Sequence, residues 1–122
     1  MLIKWLINIL LFLVVLVSQA HAETVVAPTH EQLPIKEYVL SKKIPNLYAV
    51  AMCESRLDIT AIGDHGLAYG IFQFHKETFE LYSKKYGLDL DYTDPYDQTD
   101  LAARMFNNNL QYHWSCYKKV TR

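Results

Sequence analysis

The feature that most constrains the fold is a glycine-rich polar segment, residues 56–70, that directly follows an apolar helical stripe. Leu47, Val50 and Ala51 recur at the spacing of one helix face, and Glu54 continues that face one turn later. A segment so rich in Gly, Asp and Thr does not continue a helix, and it predicts a loop or a short β-ribbon. The last turn of the predicted helix therefore carries a carboxylic acid in phase with the core.

Helical spacing also recurs on both sides of this segment. Pro34 begins one predicted helix, and Pro45 begins the helix just described. Downstream, Gly87 suits the end of a third helix, and Asp94 suits the cap of a fourth that starts at Pro95. The apolar faces contain Ile35, Tyr38 and Val39 in the first helix, Phe79, Tyr82 and Tyr86 in the third, and Leu101, Ala102, Met105 and Phe106 in the fourth. The sequence therefore predicts a small, mainly α (α+β) domain of about four to five helices.

Residues 1–22 have the pattern of a secretory signal peptide. Lys4 precedes an apolar run over residues 5–17, and small residues stand at Ala20 and Ala22, as at a cleavage site. The run is shorter than the roughly 20 residues that a membrane-spanning helix needs. We therefore expect an exported protein that is secreted, periplasmic or associated with the cell wall. An uncleaved membrane anchor is the alternative.

The rest of the chain is long enough for one small domain. Residues 23–32 are polar and contain Pro28, which predicts a linker, and residues 33–122 then form the domain. The chain has 12 basic and 13 acidic residues and no basic stripe, so we expect no nucleic-acid partner. We expect a monomer that meets the membrane only transiently, through its signal segment.

The chain has two cysteines, Cys53 and Cys116, and both are in the predicted domain. An even count in an exported chain suggests a disulfide. Such a bond closes a loop of about 60 residues and stabilises the fold by roughly 3 to 4 kcal/mol. Two buried free thiols are the alternative. Because no Cys or His spacing matches a metal site, we expect neither a metal nor another cofactor.

Glu54 has a position that suits acid chemistry. Burial disfavours the charged form of a carboxylic acid, so a Glu in phase with an apolar face keeps its proton near neutral pH. Such an acid can donate the proton to the oxygen between two sugars. The alternative is a structural Glu that caps the helix end or forms an ion pair with Arg56.

Several residues, taken in order, resemble the signature of a known superfamily. Glu54-Ser55 is followed after a gap by Gly63-Asp64, and then by Gly70-Ile71-Phe72-Gln73. This order resembles the lytic transglycosylases and goose-type lysozymes, whose signature is Glu-Ser, a gap and a G-x-x-Q segment. The resemblance covers about residues 47–119 and implies a lysozyme-like fold.

The C-terminal part resembles one branch of that superfamily. Gln98 and the terminal Trp114-Ser115-Cys116 are similar to the resuscitation-promoting-factor branch. In that branch a cysteine before the catalytic Glu pairs with one in a terminal W-x-C. The resemblance therefore implies a disulfide between Cys53 and Cys116.

The resemblance also implies roles for single residues at the site. Glu54 matches the catalytic acid, and Ser55 matches the serine that supports it. Gly70 and Gln73 match the wall of the substrate cleft, where the Gln amide can hydrogen-bond a sugar. Tyr69 is a further candidate for an apolar part of that wall.

Asp64 bears on the type of reaction. In goose-type lysozymes an Asp in a similar G-D motif helps to position water, and a second carboxylate follows the Gln by two residues. This chain has His75 at that place. We therefore expect lytic transglycosylation, in which Glu54 cleaves the bond between N-acetylmuramic acid and N-acetylglucosamine in peptidoglycan glycan strands. A muramidase that uses Asp64 to place water, and a non-catalytic peptidoglycan-binding or signalling domain, are the alternatives.

Overall fold

The structure is a computed structural model that describes residues 2–7 and 33–122. Residues 2–7 are helical and exposed. The linker predicted over residues 23–32 and most of the signal peptide predicted over residues 1–22 lie outside the described residues. Within the described ranges, no helix is both long and apolar enough to cross a membrane.

Residues 33–122 contain five α-helices and a three-stranded antiparallel sheet. The helices are α1 (Ile35–Ser41), α2 (Leu47–Ser55), α3 (Lys76–Lys85), α4 (Pro95–Asn107) and α5 (Ser115–Val120). The strands are β1 (Ile62–Gly63), β2 (Ala68–Tyr69) and β3 (Phe74–His75). One 3₁₀ turn, Asp64–Gly66, lies between β1 and β2, and another, Gln111–His113, joins α4 to α5. The predicted mainly α fold with a short β-ribbon is confirmed.

Two of the predicted helix ends are confirmed in detail. The Asp94 carboxylate accepts hydrogen bonds from the N–H groups of Tyr96 and Asp97, with Pro95 as the first residue of α4. At the end of α3, Gly87 adopts the left-handed conformation, with φ at 66°. Its N–H bonds to Lys84 O, and the N–H of the next residue bonds to Ser83 O, as in a Schellman motif.

The predicted start of α2 is wrong. Pro45 lies in a turn before the helix, which begins at Leu47 after Asn46. Asn46 has φ at 66°, a left-handed conformation that asparagine tolerates better than most residues. The chain therefore changes direction at Asn46, and this local turn overrides the preference of proline for the first helical position.

The apolar faces of the helices pack into one core. Leu47, Val50 and Ala51 of α2 are fully buried, and Glu54 lies one turn further along the same face. The four predicted core residues of α4 and Phe79 of α3 are also buried. Trp114 lies at the C-terminal side of the core, where its ring contacts the rings of Phe72, Phe74 and Phe106. The core therefore ends at the last turn of α2, beside Glu54.

A disulfide between Cys53 and Cys116 connects α2 to α5. The two Cα atoms are 5.9 Å apart, and the described part of the chain contains no free cysteine. Because Cys53 directly precedes Glu54, the bond holds the last turn of α2 against the C-terminal helix.

Candidate active site

Glu54 lies in the wall of a cavity of about 400 Å³ between the sheet and the C-terminal helices. The cavity is also lined by Asp64, Ala68, Gln73, Phe74, His75, Thr78, His113, Trp114 and Ser115. These residues come from α2, from the ribbon with its turns, from α3, and from the end of the second 3₁₀ turn and the start of α5. The cavity therefore forms only when the chain folds back on itself.

Burial dominates the electrostatics of Glu54. It raises the pKa of the carboxyl above its ordinary value, while a hydrogen bond from the Cys116 N–H and the charge of Lys119 act in the opposite direction. The net shift is upward because desolvation is the largest of these effects. A carboxyl with a raised pKa can hold a proton at a pH where an exposed Glu has lost it.

Ser55 and Trp114 hold the loop that faces Glu54. The Ser55 hydroxyl donates a hydrogen bond to Ile71 O at 2.7 Å, and the Trp114 Nε1–H donates to Phe72 O at 2.9 Å. Both contacts go to the backbone between Gly70 and Gln73. Ser55 therefore positions this loop from the end of α2, and it is not among the residues that line the cavity.

Gln73 lines the cavity and also holds the ribbon together. Its side-chain N–H₂ group donates to Ala61 O at 3.0 Å and to Gly70 O at 2.9 Å. Its φ is 50°, a left-handed value that is uncommon outside glycine. Its side-chain oxygen lies against Gly63, where any Cβ would overlap it. The amide of Gln73 is therefore oriented by two backbone segments, one at residues 61–63 and the other at Gly70.

Gly70 is required for packing rather than for lining the cavity. It has φ at 80°, and a Cβ there would lie 2.5 Å from Nε2 of Gln98. Gln98 is only 1% exposed, and its amide donates to Tyr69 O and Tyr92 O and accepts from the Phe72 N–H. The buried Gln98 amide thus supports the loop that carries Gly70 and Gln73.

Asp64 and His75 form a pair on the cavity wall. Nε2 of His75 lies 2.7 Å from Oδ2 of Asp64, and both side chains are about half exposed. The sequence analysis predicted Asp64 as a candidate site residue. It interpreted His75 only as the absence of a second carboxylate. The structure shows that His75 is a partner of Asp64.

One known protein family matches most of the domain. The model of the family described as Transglycosylase SLT domain matches residues 36–119. The chain belongs to the transglycosylase SLT domain family. The match contains Glu54, the loop from Gly70 to Gln73, and both cysteines. Comparisons with curated proteins and with solved structures found no match.

Membership in this family confirms the resemblance to the lytic transglycosylase superfamily that the sequence analysis described. It supports a peptidoglycan-cleaving role of the lytic transglycosylase type for this SLT domain. The narrower resemblance to the resuscitation-promoting-factor branch stays a prediction.

Tyr69 lies apart from the Glu54 cavity of the SLT domain. It lines a neighbouring cavity of about 700 Å³, which we call the side cavity, together with residues of the ribbon, of the start of α3 and of the segment before α4. The two cavities share Ala68, His75 and Thr78. Tyr69 and Glu54 thus face adjoining spaces rather than one groove.

The sequence analysis assigned no role at the site to three further residues of the cavity wall. Thr78, His113 and Ser115 line the cavity of the SLT domain, and His113 Nε2 lies 3.0 Å from the Tyr82 hydroxyl. The terminal W-x-C pattern was a usable signal for this wall, since Trp114 and Ser115 stand in it. Among residues 2–7 and 33–122, no group of three or more His, Cys, Asp or Glu side chains is arranged to hold a metal ion.

Proposed function

We propose that this SLT domain cleaves the bond between N-acetylmuramic acid and N-acetylglucosamine in peptidoglycan by lytic transglycosylation. Glu54 is the catalytic acid and base. The observation that carries the proposal is the position of Glu54, whose partly buried carboxyl lies in a cavity wall where burial raises its pKa. A proton donor at this place needs that property, because it must be protonated when the sugar binds.

The proposed reaction has two steps. First, the Glu54 carboxyl donates its proton to the glycosidic oxygen while the bond from that oxygen to the anomeric carbon of muramic acid breaks. The released sugar then carries a free hydroxyl group. Second, the Glu54 carboxylate takes the proton of a hydroxyl group on the same muramic acid, whose oxygen bonds to the anomeric carbon. An anhydro-sugar forms, Glu54 regains its proton, and no water is consumed.

The other predicted site residues divide into two proposed roles. Gln73 and Asp64 line the Glu54 cavity and are proposed to contact the sugar there. Gly70 and Ser55 are proposed to act through the loop, since one packs on Gln98 and the other bonds to Ile71 O. Tyr69 is proposed to contact the substrate from the side cavity.

The decisive test is Glu54→Gln on purified cell wall, with zymography and mass spectrometry of the products. Gln keeps the shape of Glu but cannot donate an acidic proton, so we expect cleavage to fall by about 10² to 10⁴-fold. Glu37→Gln is the matched control, because Glu37 is exposed on α1, outside the cavity lining. Undiminished cleavage in Glu54→Gln excludes the proposal. Saturable binding by wild type with no product indicates the non-catalytic alternative.

Hydrolysis is a second candidate, favoured by the presence of Asp64 in the cavity of Glu54. Its carboxylate, paired with His75, can hold a water molecule beside a sugar in that cavity. Cleavage in ¹⁸O-labelled water separates the two reactions. Hydrolysis places ¹⁸O on the new reducing end, whereas transglycosylation gives an unlabelled anhydro-sugar.

We also propose that the protein is exported and acts as a monomer. The disulfide supports an extracytoplasmic location, because such bonds persist in oxidising compartments. Fractionation of cells that express the full chain, with thiol labelling of each fraction, tests the location. Sedimentation velocity tests the monomer.

A further inference from the structure

The C-terminal helix α5 turns one face toward Glu54. Its first residue, Ser115, lines the Glu54 cavity. Its second residue, Cys116, is buried and is bonded to Cys53, which directly precedes Glu54. The Cα atoms of the two cysteines are 5.9 Å apart, so the first turn of α5 lies against the last turn of α2. A side chain that follows one turn later on this face of α5 is therefore directed toward the same end of α2.

Lys119 is the residue that follows on this face. It stands four positions after Ser115 and three after Cys116, and residues at these spacings are neighbours on a helix surface. Lys118 lies on the other side of α5 from Cys116, because two positions along a helix are roughly half a turn around its axis. Both lysines are exposed. The face of α5 that meets Glu54 thus carries a positive charge one turn beyond the disulfide.

Glu54 has charged and titratable neighbours on several other elements. They lie on the ribbon, on the second 3₁₀ turn and just past the end of α2: Asp64, His75, His113 and Arg56. Two of them, Asp64 and His75, are paired with each other. Burial raises the pKa of Glu54, and the Cys116 N–H and the charge of Lys119 act against this rise. Lys119 therefore supplies a charge that favours the Glu54 carboxylate.

We propose that Lys119 is a positioning residue for the reaction, whose ammonium group stabilises the Glu54 carboxylate that forms when the proton passes to the glycosidic oxygen. In this first step Glu54 changes from neutral to negative, and a nearby cation lowers the energy of that change. Lys119 itself neither gives nor takes a proton. Because Lys119 is exposed, water and salt weaken its effect, and Glu54 can still take back a proton in the second step. The proposal rests on the proposed function for the role of Glu54.

The test compares Lys119→Met with the conservative variant Lys119→Arg and with Lys118→Met, a control that removes the same charge from the same helix. Without the cation, Glu54 keeps its proton to higher pH, so we expect the alkaline limb of the pH–rate profile of Lys119→Met to move to higher pH. At a fixed pH on that limb, the rate relative to the variant's own maximum is expected to rise by about two- to three-fold. Salt at about 1 M is expected to remove most of this difference, because it screens exposed charges. Lys119→Arg and Lys118→Met are expected to keep the wild-type profile.

Carbon-13 NMR of the labelled Glu54 carboxyl follows the same titration without substrate, and Glu54→Gln assigns the signal. An unchanged Glu54 titration in Lys119→Met overturns the proposal. So does an equal change in Lys118→Met, because the effect is then one of net charge, and so does a loss of cleavage at every pH that Lys119→Arg does not restore. The NMR titration does not depend on turnover. Its outcome is therefore distinct from a failure of the proposed function, which is seen as undiminished cleavage by the Glu54→Gln protein.

Discussion

The register of the small sheet brings His75 to Asp64. Ala68 of β2 pairs with Gly63 on one side and with His75 on the other, and Asp64 directly follows Gly63. The two side chains meet at 2.7 Å on the wall of the cavity that contains Glu54. His75 of this pair stands at the place where the resemblance to goose-type lysozymes implies a second carboxylate, so the pair offers a direct test of the reaction type.

Asp64→Asn is expected to lower cleavage by less than about ten-fold and to leave the anhydro product unchanged, since transglycosylation uses no positioned water. If the pair positions water for hydrolysis, the loss is about 10²-fold or more. Initial rates and product masses measure both quantities. His75→Gln is the companion variant. Equal and non-additive effects of the two substitutions indicate that the side chains act as one unit.

Stability and activity are expected to respond to the titration of Glu54. Its pKa is raised in the folded state, so its protonated form favours folding. This stabilisation of the folded state is fully present below the ordinary Glu pKa of about 4.3. It is lost as the pH rises through the higher pKa that Glu54 has in the folded protein. Wild type is therefore expected to lose stability relative to Glu54→Gln over that range, and its cleavage rate is expected to fall on the alkaline side.

Urea unfolding at pH 4 to 8 and pH–rate profiles measure these two effects. Glu37→Gln separates the effect of burial from that of removing one charge. A stability difference between wild type and Glu54→Gln that stays flat with pH contradicts the assignment of a raised pKa.

Removal of the disulfide is expected to destabilise the fold by about 4 kcal/mol, because the bond closes a loop between residues 63 positions apart. Cys53→Ser with Cys116→Ser, or reduction of wild type, is measured by urea unfolding. Activity is expected to fall as well, since Cys116 N–H bonds to Glu54 and Cys53 precedes it. The double variant must be insensitive to reductant. If reduction changes neither the unfolding midpoint nor the activity of wild type, the disulfide neither stabilises the fold nor helps to position Glu54.

Gly70→Ala is expected to destabilise the protein by about 3 kcal/mol, from left-handed strain of about 1 to 2 kcal/mol and disturbed hydrogen bonds of Gln98. Gly66→Ala is a matched control, because Gly66 also has positive φ, at 92°, but nothing lies within 4 Å of an added Cβ. It is expected to cost about 1 to 2 kcal/mol. Chemical denaturation of both variants isolates the contribution of packing, and equal losses contradict it.

Much of the fold could be predicted because its signals are local. The cap at Asp94 and the C-terminal Gly87 each depend on a few neighbouring residues, and both predictions are confirmed. The position of Glu54 at the end of the apolar face of α2 could be predicted from helical spacing alone. Pro45 shows the limit of such rules, since the turn at Asn46 moves the start of α2 to Leu47.

The site was less predictable because its contacts join distant segments. Ser55 reaches Ile71, Trp114 reaches Phe72, and Gln98 reaches Tyr69 and Tyr92. No periodicity encodes such pairs. Gln73 was expected in the cleft from its motif, but its role in holding the ribbon depends on hydrogen bonds to Ala61 and Gly70.

By itself, the sequence determined that an acid ends an apolar helix face and that a glycine-rich ribbon follows, because both are properties of short stretches of chain. It also contained the ordered motif that identifies the family. Only the tertiary structure decided that Asp64 pairs with His75, and that Tyr69 faces a cavity beside that of Glu54. Strand register and core packing determine those contacts, and both arise only when segments far apart in the chain bury their surfaces together.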